Sequence, residues 1–207
     1  MTRIIFVRHG QTEWNLKGKY QGQTDVPLSE EGIAQAHKLA ENFPTKRLDA
    51  IYSSDLSRAM ETARIAAGKF GLEVQEEPAF REVNFGEWEG LSYEEIATRW
   101  PKVAGDFFRR PDALSIPGGE TFQVLQERAI KRISGIVDAS EGQTVAVFAH
   151  GAILRTVLCH ALHMPLAYLW AIRQSNTAVS IVAYEDGWSS VELMNSTAHL
   201  SMQKPQI

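Results

Sequence analysis

Short apolar runs alternate with segments of helical periodicity along this chain. The first run, at positions 4–7, ends in the triplet Arg-His-Gly at 8–10, and a second, at 144–149, ends in His-Gly at 150–151. Runs of this length, rich in apolar and β-branched residues, predict buried strands. Ligands of open α/β sheets bind at the carboxyl ends of such strands. If the two strands are neighbours, both histidines therefore enter one pocket.

Segments of helical spacing separate the predicted strands. Ser29 can cap a helix that runs to about Asn42, and apolar residues recur at helical spacing from Leu56 until Gly71 ends the pattern. Further helices are predicted over 92–100, from about 120 to 142 and over 152–162, and further strands over 48–52, 72–74, 178–184 and 190–194. The alternation predicts a mainly parallel, three-layer α/β/α sandwich with an antiparallel edge strand. Positions 101–119 are interpreted as an excursion over the sheet rather than as core.

Composition narrows the possible classes of function. The 207 residues suffice for one domain, 1–207, and a net charge of −4 without a basic stripe argues against a nucleic-acid partner. No apolar stretch has the length of a membrane span, and the N-terminus does not resemble a signal peptide. The single cysteine, Cys159, lies in an apolar run and excludes an internal disulfide. We expect a cytoplasmic protein with no membrane partner, in which Cys159 fills the core.

Arg8, His9 and His150 define either a metal site or an anion site at the edge of the sheet. In an isolated Arg-His-Gly triplet, the histidine is more often a hydrogen-bonded residue at a strand end without a catalytic role. Only His150, which follows another predicted strand, changes that interpretation. The sequence lacks the spacing of metal-binding histidines, with no His-x-His and no His-Glu-x-x-His. An anion fits better, because arginine presents a planar fork to phosphate oxygens and histidine can act as a nucleophile.

Arg58 and Glu82 are further candidates. Arg58 lies in the first turn of a predicted helix, where backbone N–H groups also face a bound anion, although most arginines are simply solvated. With Arg8 and His150 it could neutralise a phosphoryl group held against His9. Glu82 is the candidate acid. Composition does not distinguish it from the other carboxylates nearby, which are Glu87, Glu89, Glu94 and Glu95.

The candidates stand in segments whose order and spacing extend over nearly the whole chain. The segments are RHGQTEWN (8–15), YQGQTDVPLSEEG (20–32), SSDLSRA (53–59), REVNFGEWEG (81–90), PGGET (117–121) and AHG (149–151). Together they resemble the signature of the histidine phosphatase superfamily, in the branch of the cofactor-dependent phosphoglycerate mutases. The resemblance implies a phosphoglycerate mutase-like fold and a reaction on a small phosphorylated substrate.

The resemblance also implies the role of each candidate, in a reaction that needs neither a metal nor another cofactor. By position, His9 is the nucleophile and becomes a phosphohistidine, while Glu82 is the proton donor. The phosphoryl oxygens are bound, and their charge stabilised, by Arg8, Arg58 and His150. The implied substrate or phosphate contacts are Asn15, the backbone of Gln21 and Gly22, and Gly151.

Two details of this mechanism follow from the sequence around the implied catalytic residues. We expect a backbone carbonyl to hold one ring nitrogen of His9, so that the tautomer is fixed for in-line attack on phosphorus. We also expect burial against Phe85 and Trp88 to keep Glu82 protonated until it donates to the leaving alkoxide. Deprotonated, Glu82 can then activate the water that hydrolyses the phosphohistidine.

The sequence favours a metal-independent phosphatase over a mutase. A mutase holds two phosphates, and mutases of this family carry a longer, more basic insertion between the positions of Glu82 and His150. Met60 stands where some relatives have a second basic residue, which argues against a doubly charged substrate. Gln11 stands where many relatives have glutamate, a neutral change that leaves Arg8 and His9 intact. A non-catalytic phosphate-binding module would have lost a catalytic residue, and none is lost.

The sequence leaves the substrate and the assembly open. Short members of the family include broad-specificity, phosphoserine and α-ribazole phosphatases. We expect residues 84–119 and the C-terminal tail to cover the active site and set specificity. Arg109 or Arg110 could reach a substrate carboxylate or be solvated, and His199 could contact the ligand. Aromatic residues that could line the entrance or belong to the core are Trp14, Tyr20, Phe107, Phe108 and Trp170. The exposed edge of the sheet permits a homodimer.

Overall fold

A mixed sheet organises the chain, and a computed structural model describes it over residues 1–201. The strands are β1 (Thr2–Arg8), β2 (Ala50–Ser53), β3 (Val74–Glu76), β4 (Thr144–Ala149), β5 (Val179–Glu185) and β6 (Trp188–Ser196). Within the described residues they form a six-stranded sheet in the order β3-β2-β4-β1-β5-β6. The first four strands pair in parallel, while β5 and β6 run antiparallel to their neighbours. The predicted sandwich is confirmed, and its antiparallel edge consists of two strands.

Helices cover both faces of this sheet. They are α1 (Glu13–Leu16), α2 (Glu30–Glu41), α3 (Ser57–Ala67), α4 (Tyr93–Arg99), α5 (Pro101–Phe107), α6 (Phe122–Ala139), α7 (Gly151–Ala161) and α8 (Ala198–Ser201). The predicted cap is present, because the Ser29 hydroxyl accepts a hydrogen bond from the first turn of α2, and the Thr121 hydroxyl caps α6 in the same way. Among residues 1–201, no helix combines the length and apolarity needed to cross a membrane. The predicted contribution of the C-terminal tail lies partly outside these residues.

Strand β1 is apolar on both faces because it is covered on both. Ile4 and Phe6 pack in the cluster that includes residues of α6 and α7, whereas Ile5 and Val7 pack with α2 and α3. In the parallel register with β4, Arg8 lies opposite Ala149. Because both strands end at the same level, the histidines that follow them leave the sheet at the same edge.

The region after Pro101 differs from the prediction. Pro101 ends α4 as expected, but it also occupies the first turn of α5, where its missing N–H costs no hydrogen bond. Apolar residues of this region, including Phe107 and Ile116, are buried in the cluster that covers one face of the sheet. The interpretation of 101–119 as an excursion outside the core is therefore wrong. The third strand lies at 74–76, two residues later than predicted.

Candidate active site

His9 follows β1 directly and is held by hydrogen bonds on both sides. Its backbone N–H donates to the Ala149 carbonyl at 3.0 Å, and its carbonyl accepts from the Thr177 N–H at 3.2 Å. The ring is buried, with Nδ1 2.6 Å from the Gly10 carbonyl oxygen. Since a carbonyl can only accept, Nδ1 carries the proton and Nε2 keeps a lone pair. The expectation that a backbone carbonyl fixes the tautomer is confirmed.

The surroundings of His9 keep its imidazole neutral. Burial is the largest cause that lowers its pKa well below the usual value, and the positive charges of Arg58 and Arg8 lower it further. The His150 ring lies 5.2 Å away between centroids, and its pKa is also lowered, first by burial and then by Arg58. Two neutral imidazoles therefore stand among cations, a setting that favours an anion over further positive charge.

Arg58 and His150 form a connected pair beneath the site. The fully buried Arg58 donates from Nη2 to the Gly22 carbonyl at 2.6 Å and from Nη1 to the Thr24 carbonyl at 2.9 Å. Its Nε donates to His150 Nδ1 at 3.2 Å, so that Nδ1 carries no proton. His150 Nε2–H is then the donor to Ser54 Oγ at 2.8 Å. Although burial lowers the pKa of Arg58 to about 10, it remains a cation at neutral pH.

Arg8 brings an unpaired donor to the site. Its Nη1 donates to the Gln174 carbonyl at 2.6 Å, but its buried Nε has no hydrogen-bond partner within residues 1–201. Burial is the largest cause that lowers its pKa to about 10, and the neighbouring charge of Arg155 is the next. A buried charged donor left without an acceptor costs about 1–3 kcal/mol or more. An anion bound beside Arg8 would remove that cost.

The Glu82 carboxyl group is held by backbone N–H groups at the start of α7. Oε1 accepts from Val83 at 3.0 Å and from Ile153 at 3.1 Å, and Oε2 accepts from Ala152 at 3.0 Å. The sequence predicts burial against Phe85 and Trp88, whereas the contacts of this carboxyl group are hydrogen bonds from the backbone. Oε1 accepts two of these three bonds and Oε2 accepts one, so Oε2 keeps more of its capacity to accept a further hydrogen bond.

The other carboxylates that composition could not separate from Glu82 do not line the cavity, and Glu89 has a structural role. Its two oxygens accept from the backbone N–H groups of Gln23, Thr24 and Phe85. On the opposite side, the Arg128 guanidinium donates to the Glu82 carbonyl at 2.9 Å and pairs with Glu120. These contacts fix the backbone on either side of Glu82, whose side chain lines the cavity.

A cavity of about 310 Å³ opens above these groups. The predicted site residues that line it are Arg8, His9, Asn15, Gln21, Gly22, Arg58, Glu82 and Gly151, while His150 lies buried beneath them. Predicted aromatic residues that also line it are Tyr20, Phe107, Phe108 and Trp170. The lining does not include Trp14, Arg109, Arg110 or Met60. Lining residues that sequence reasoning did not select include Lys19, Phe85, Tyr93 and Arg155.

A loop before β5 also supports the site. Asn176 Nδ2 donates to the His9 carbonyl at 3.1 Å and to Asn15 Oδ1 at 3.2 Å, which leaves the Asn15 amide nitrogen available for a ligand. Thr177 has a φ of 54°, in the left-handed region that is strained for a β-branched residue. His199 lies 3.0 Å from the Thr177 hydroxyl, so it supports this loop, and it is not among the residues that line the cavity. Sequence reasoning missed this loop because it carries no motif.

Comparison with known proteins identifies the family. A sequence model of the histidine phosphatase superfamily (branch 1) matches residues 4–197. The chain belongs to that superfamily. Within residues 1–201 of this histidine phosphatase, no group of three or more His, Cys, Asp or Glu side chains could hold a metal ion.

Individual relatives agree with this assignment. Phosphoserine phosphatase 1 of Hydrogenobacter thermophilus is 32% identical over 200 residues, which cover 97% of this histidine phosphatase and 95% of that protein. YhfR of Bacillus stearothermophilus superposes with a TM-score of 0.93 at 33% identity, covering 97% and 100% of the two chains. A mutant phosphoserine phosphatase of Entamoeba histolytica, solved in complex with phosphoserine, superposes with a TM-score of 0.88 at 31% sequence identity. The match covers 97% of this chain and 100% of that chain. The protein is a phosphatase that hydrolyses phosphomonoesters.

Proposed function

We propose that this phosphatase acts through a phosphohistidine at Nε2 of His9, without a metal. The observation that carries the proposal is the hydrogen bond from His9 Nδ1–H to the Gly10 carbonyl, which leaves the Nε2 lone pair for attack. The lowered pKa of His9 keeps that lone pair free at neutral pH. Relatives named phosphoserine phosphatase support small phosphomonoesters as the substrates.

The reaction proceeds in two displacements at phosphorus. In the first, His9 Nε2 bonds to phosphorus as the ester P–O bond breaks, and the leaving alkoxide takes a proton from Glu82. Guanidinium groups of Arg8 and Arg58 bind the phosphoryl oxygens as negative charge develops. In the second, ionised Glu82 takes a proton from water, the resulting oxygen bonds to phosphorus, and the P–N bond breaks. The products are the alcohol and inorganic phosphate, with both His9 and Glu82 restored.

A mutase would need a place for a second phosphate, and the arginines of segment 84–119 do not provide one in the cavity. Arg109 and Arg110, which could have served a second phosphate, are exposed and absent from the cavity lining. The segment 84–119 instead contributes aromatic side chains, among them Phe85 and Phe108. We propose that this segment covers the active site and sets specificity within the single domain.

The proposal also includes a cytoplasmic location and a possible homodimer. A cytoplasmic, reducing location suits the free Cys159, which is buried and whose pKa burial raises to about 11, so that it fills the core and is a poor nucleophile. A homodimer could form through the free edge of β6, whose side chains are partly exposed along its length. Analytical ultracentrifugation would separate a dimer from a monomer.

The proposed mechanism is tested by phosphate release and by trapping of the intermediate. In chelator, the wild-type protein should release phosphate from phosphoserine, 3-phosphoglycerate, α-ribazole 5′-phosphate, sugar phosphates and 4-nitrophenyl phosphate. Rapid quenching with ³²P-labelled substrate should capture an acid-labile, base-stable phosphoprotein. His9→Ala should lose both signals, with turnover reduced by at least about 10⁴-fold, because no other group replaces the nucleophile.

Three outcomes would contradict this proposal. Appreciable turnover by His9→Ala would remove the nucleophile. Loss of wild-type activity in chelator would require a metal. Isomerisation of 3-phosphoglycerate primed by bisphosphoglycerate, without release of phosphate, would identify a mutase.

A further inference from the structure

Arg155 is a cation of the cavity that the proposed mechanism does not use. It lies on α7, four residues after Gly151, and is half-buried in an otherwise apolar helix. Its Nε donates to the Ile172 carbonyl at 2.7 Å, and its guanidinium lies 5.2 Å from the centroid of the Trp170 ring. These two contacts fix the plane of the guanidinium group. Among the described residues, no hydrogen-bond partner occupies its Nη1 and Nη2.

The free edge of Arg155 faces the same space as the unpaired Nε of Arg8. A Cβ atom built on Gly151 would lie 3.1 Å from Arg155 Nη1 and 3.5 Å from Arg8 Nε. The two donors therefore meet above Gly151, where the missing side chain leaves room. They repel each other, since the charge of Arg155 is one of the causes that lower the pKa of Arg8. The Glu82 carboxyl group, which also lines the cavity, already accepts hydrogen bonds from three backbone N–H groups.

We propose that Arg155 binds a second anionic group of the substrate, a carboxylate carried close to the phosphoryl group. The inference rests on the proposed function, in which Arg8 and Arg58 hold the phosphate. With Nε engaged, the coplanar Nη1 and Nη2 donors present a two-pronged edge that matches the two oxygens of a carboxylate. The preferred substrates are thus phosphomonoesters of small hydroxy acids, and Arg155 selects them.

The rest of the cavity limits the size of such a substrate. The aromatic lining includes Tyr20, Tyr93, Phe108 and Trp170, and Lys19 contributes a further cation. We expect a carboxylate carried close to the ester oxygen to suit Arg155, because Arg155 Nη1 and Arg8 Nε both lie within 3.5 Å of the Cβ position of Gly151. The arrangement also explains why an apolar Met60 does not exclude a doubly charged substrate: Met60 is buried outside the lining, and the second cation comes from α7 instead.

Matched substrate pairs test the proposal. Phosphoethanolamine lacks the carboxylate of phosphoserine, and glycerol 3-phosphate has a neutral hydroxymethyl group in place of the carboxylate of 3-phosphoglycerate. The wild-type protein should prefer the carboxylate member of each pair in kcat/KM by about ten- to a hundredfold, the range of one charge-assisted hydrogen bond. Arg155→Gln should reduce that preference about tenfold through KM, and Arg155→Lys should restore part of it. Arg109→Gln, which changes an exposed arginine outside the cavity, should leave the preference unchanged.

The outcomes that overturn the proposal differ from those that overturn the proposed function. A wild-type preference near one, or an equal loss on all four substrates in Arg155→Gln, would assign Arg155 to the phosphoryl group or to the fold. If Arg155→Gln does not fold, competitive inhibition of the wild type decides: 3-phosphonopropionate should bind more tightly than propylphosphonate, and equal constants would refute the carboxylate contact. Failure of the wild type to hydrolyse 4-nitrophenyl phosphate would instead contradict the proposed function itself.

Discussion

The two sides of the cavity are built differently. On the histidine side, backbone groups hold most of the catalytic candidates: His9 by Gly10, Arg58 by Gly22 and Thr24, and Glu82 by the start of α7. The opposite side consists of aromatic rings packed on one another, with Phe107 at their centre, 4.6 Å from Trp170 and 5.4 Å from Tyr20 between centroids. The groups of the histidine side thus depend on directional hydrogen bonds, whereas the aromatic wall depends on packing.

This difference indicates which changes the protein tolerates. A catalytic side chain that loses one backbone partner loses its orientation or its proton, and the rate falls steeply. A ring on the opposite side contributes apolar contact area, which has no strict directional requirement. Its replacement should therefore change which substrates fit more than it changes the rate of the reaction. Three predictions test this contrast.

The largest effect is expected on the acid. Glu82→Gln keeps the shape of the side chain and removes the exchangeable proton, so turnover of phosphoserine, which has a poor leaving group, should fall by about 10²–10⁴-fold. Turnover of 4-nitrophenyl phosphate, whose leaving group needs no proton, should fall far less in single-turnover measurements. Equal losses on the two substrates would show that Glu82 does not donate the proton.

Two neighbouring phenylalanines give an intermediate effect on the opposite side. Phe107 is 2% exposed and Phe108 is 54% exposed, although both line the cavity. Phe107→Ala should lower the free energy of unfolding by about 3–5 kcal/mol, because it leaves a void among packed rings. Phe108→Ala should change that quantity by less than about 1 kcal/mol and alter KM only a few-fold. Urea denaturation and steady-state kinetics measure both, and similar destabilisation by the two variants would contradict the packing described for this wall.

The smallest effect concerns the pH dependence of stability. His9 and His150 have pKa values lowered well below the usual 6.5. Below that pH, the unfolded chain therefore binds protons at these two histidines, whereas the folded protein keeps them neutral. Their contribution to stability is present above about pH 6.5 and is lost as the pH falls toward the folded pKa values, by about 1.4 kcal/mol per pH unit for each group. Urea denaturation between pH 7.5 and 5 should show this loss. His150→Gln should have a shallower slope, and an unchanged slope would show that His150 is not held neutral.

The histidine side could be predicted from the sequence because its signals are local. An apolar run that ends in a polar triplet indicates a strand end, and parallel pairing of two such strands brings His9 and His150 to one edge. Their placement needed only the register of β1 with β4. The backbone N–H groups on Glu82 could not be predicted, since they come from α7, about 70 positions away, and no local pattern reveals that contact.

The aromatic side was less predictable because packing depends on long-range contacts. Prolines and exposed arginines around Arg109 indicated a surface segment, yet Phe107 and Ile116 complete a core whose other members are distant in sequence. Arg155 did leave a signal: it is the one Arg or Lys in the apolar stretch 152–162, and it is four residues after Gly151, so both lie on the same side of a helix. A charge at such a position is a candidate for a buried function.

The central position of β1 has a consequence for the folding of the nascent chain. Both partners of β1 come from the last third of the sequence, because it pairs with β4 and β5 and with no earlier strand of the described sheet. During synthesis, its apolar segment must therefore wait, unpaired, until residues 144–149 and 179–185 have emerged from the ribosome. Pairings of such long sequence separation form slowly and leave a strand exposed to aggregation in the meantime. Strand β1, which precedes His9, is thus among the last strands to be paired, and we expect co-translational chaperones to protect it.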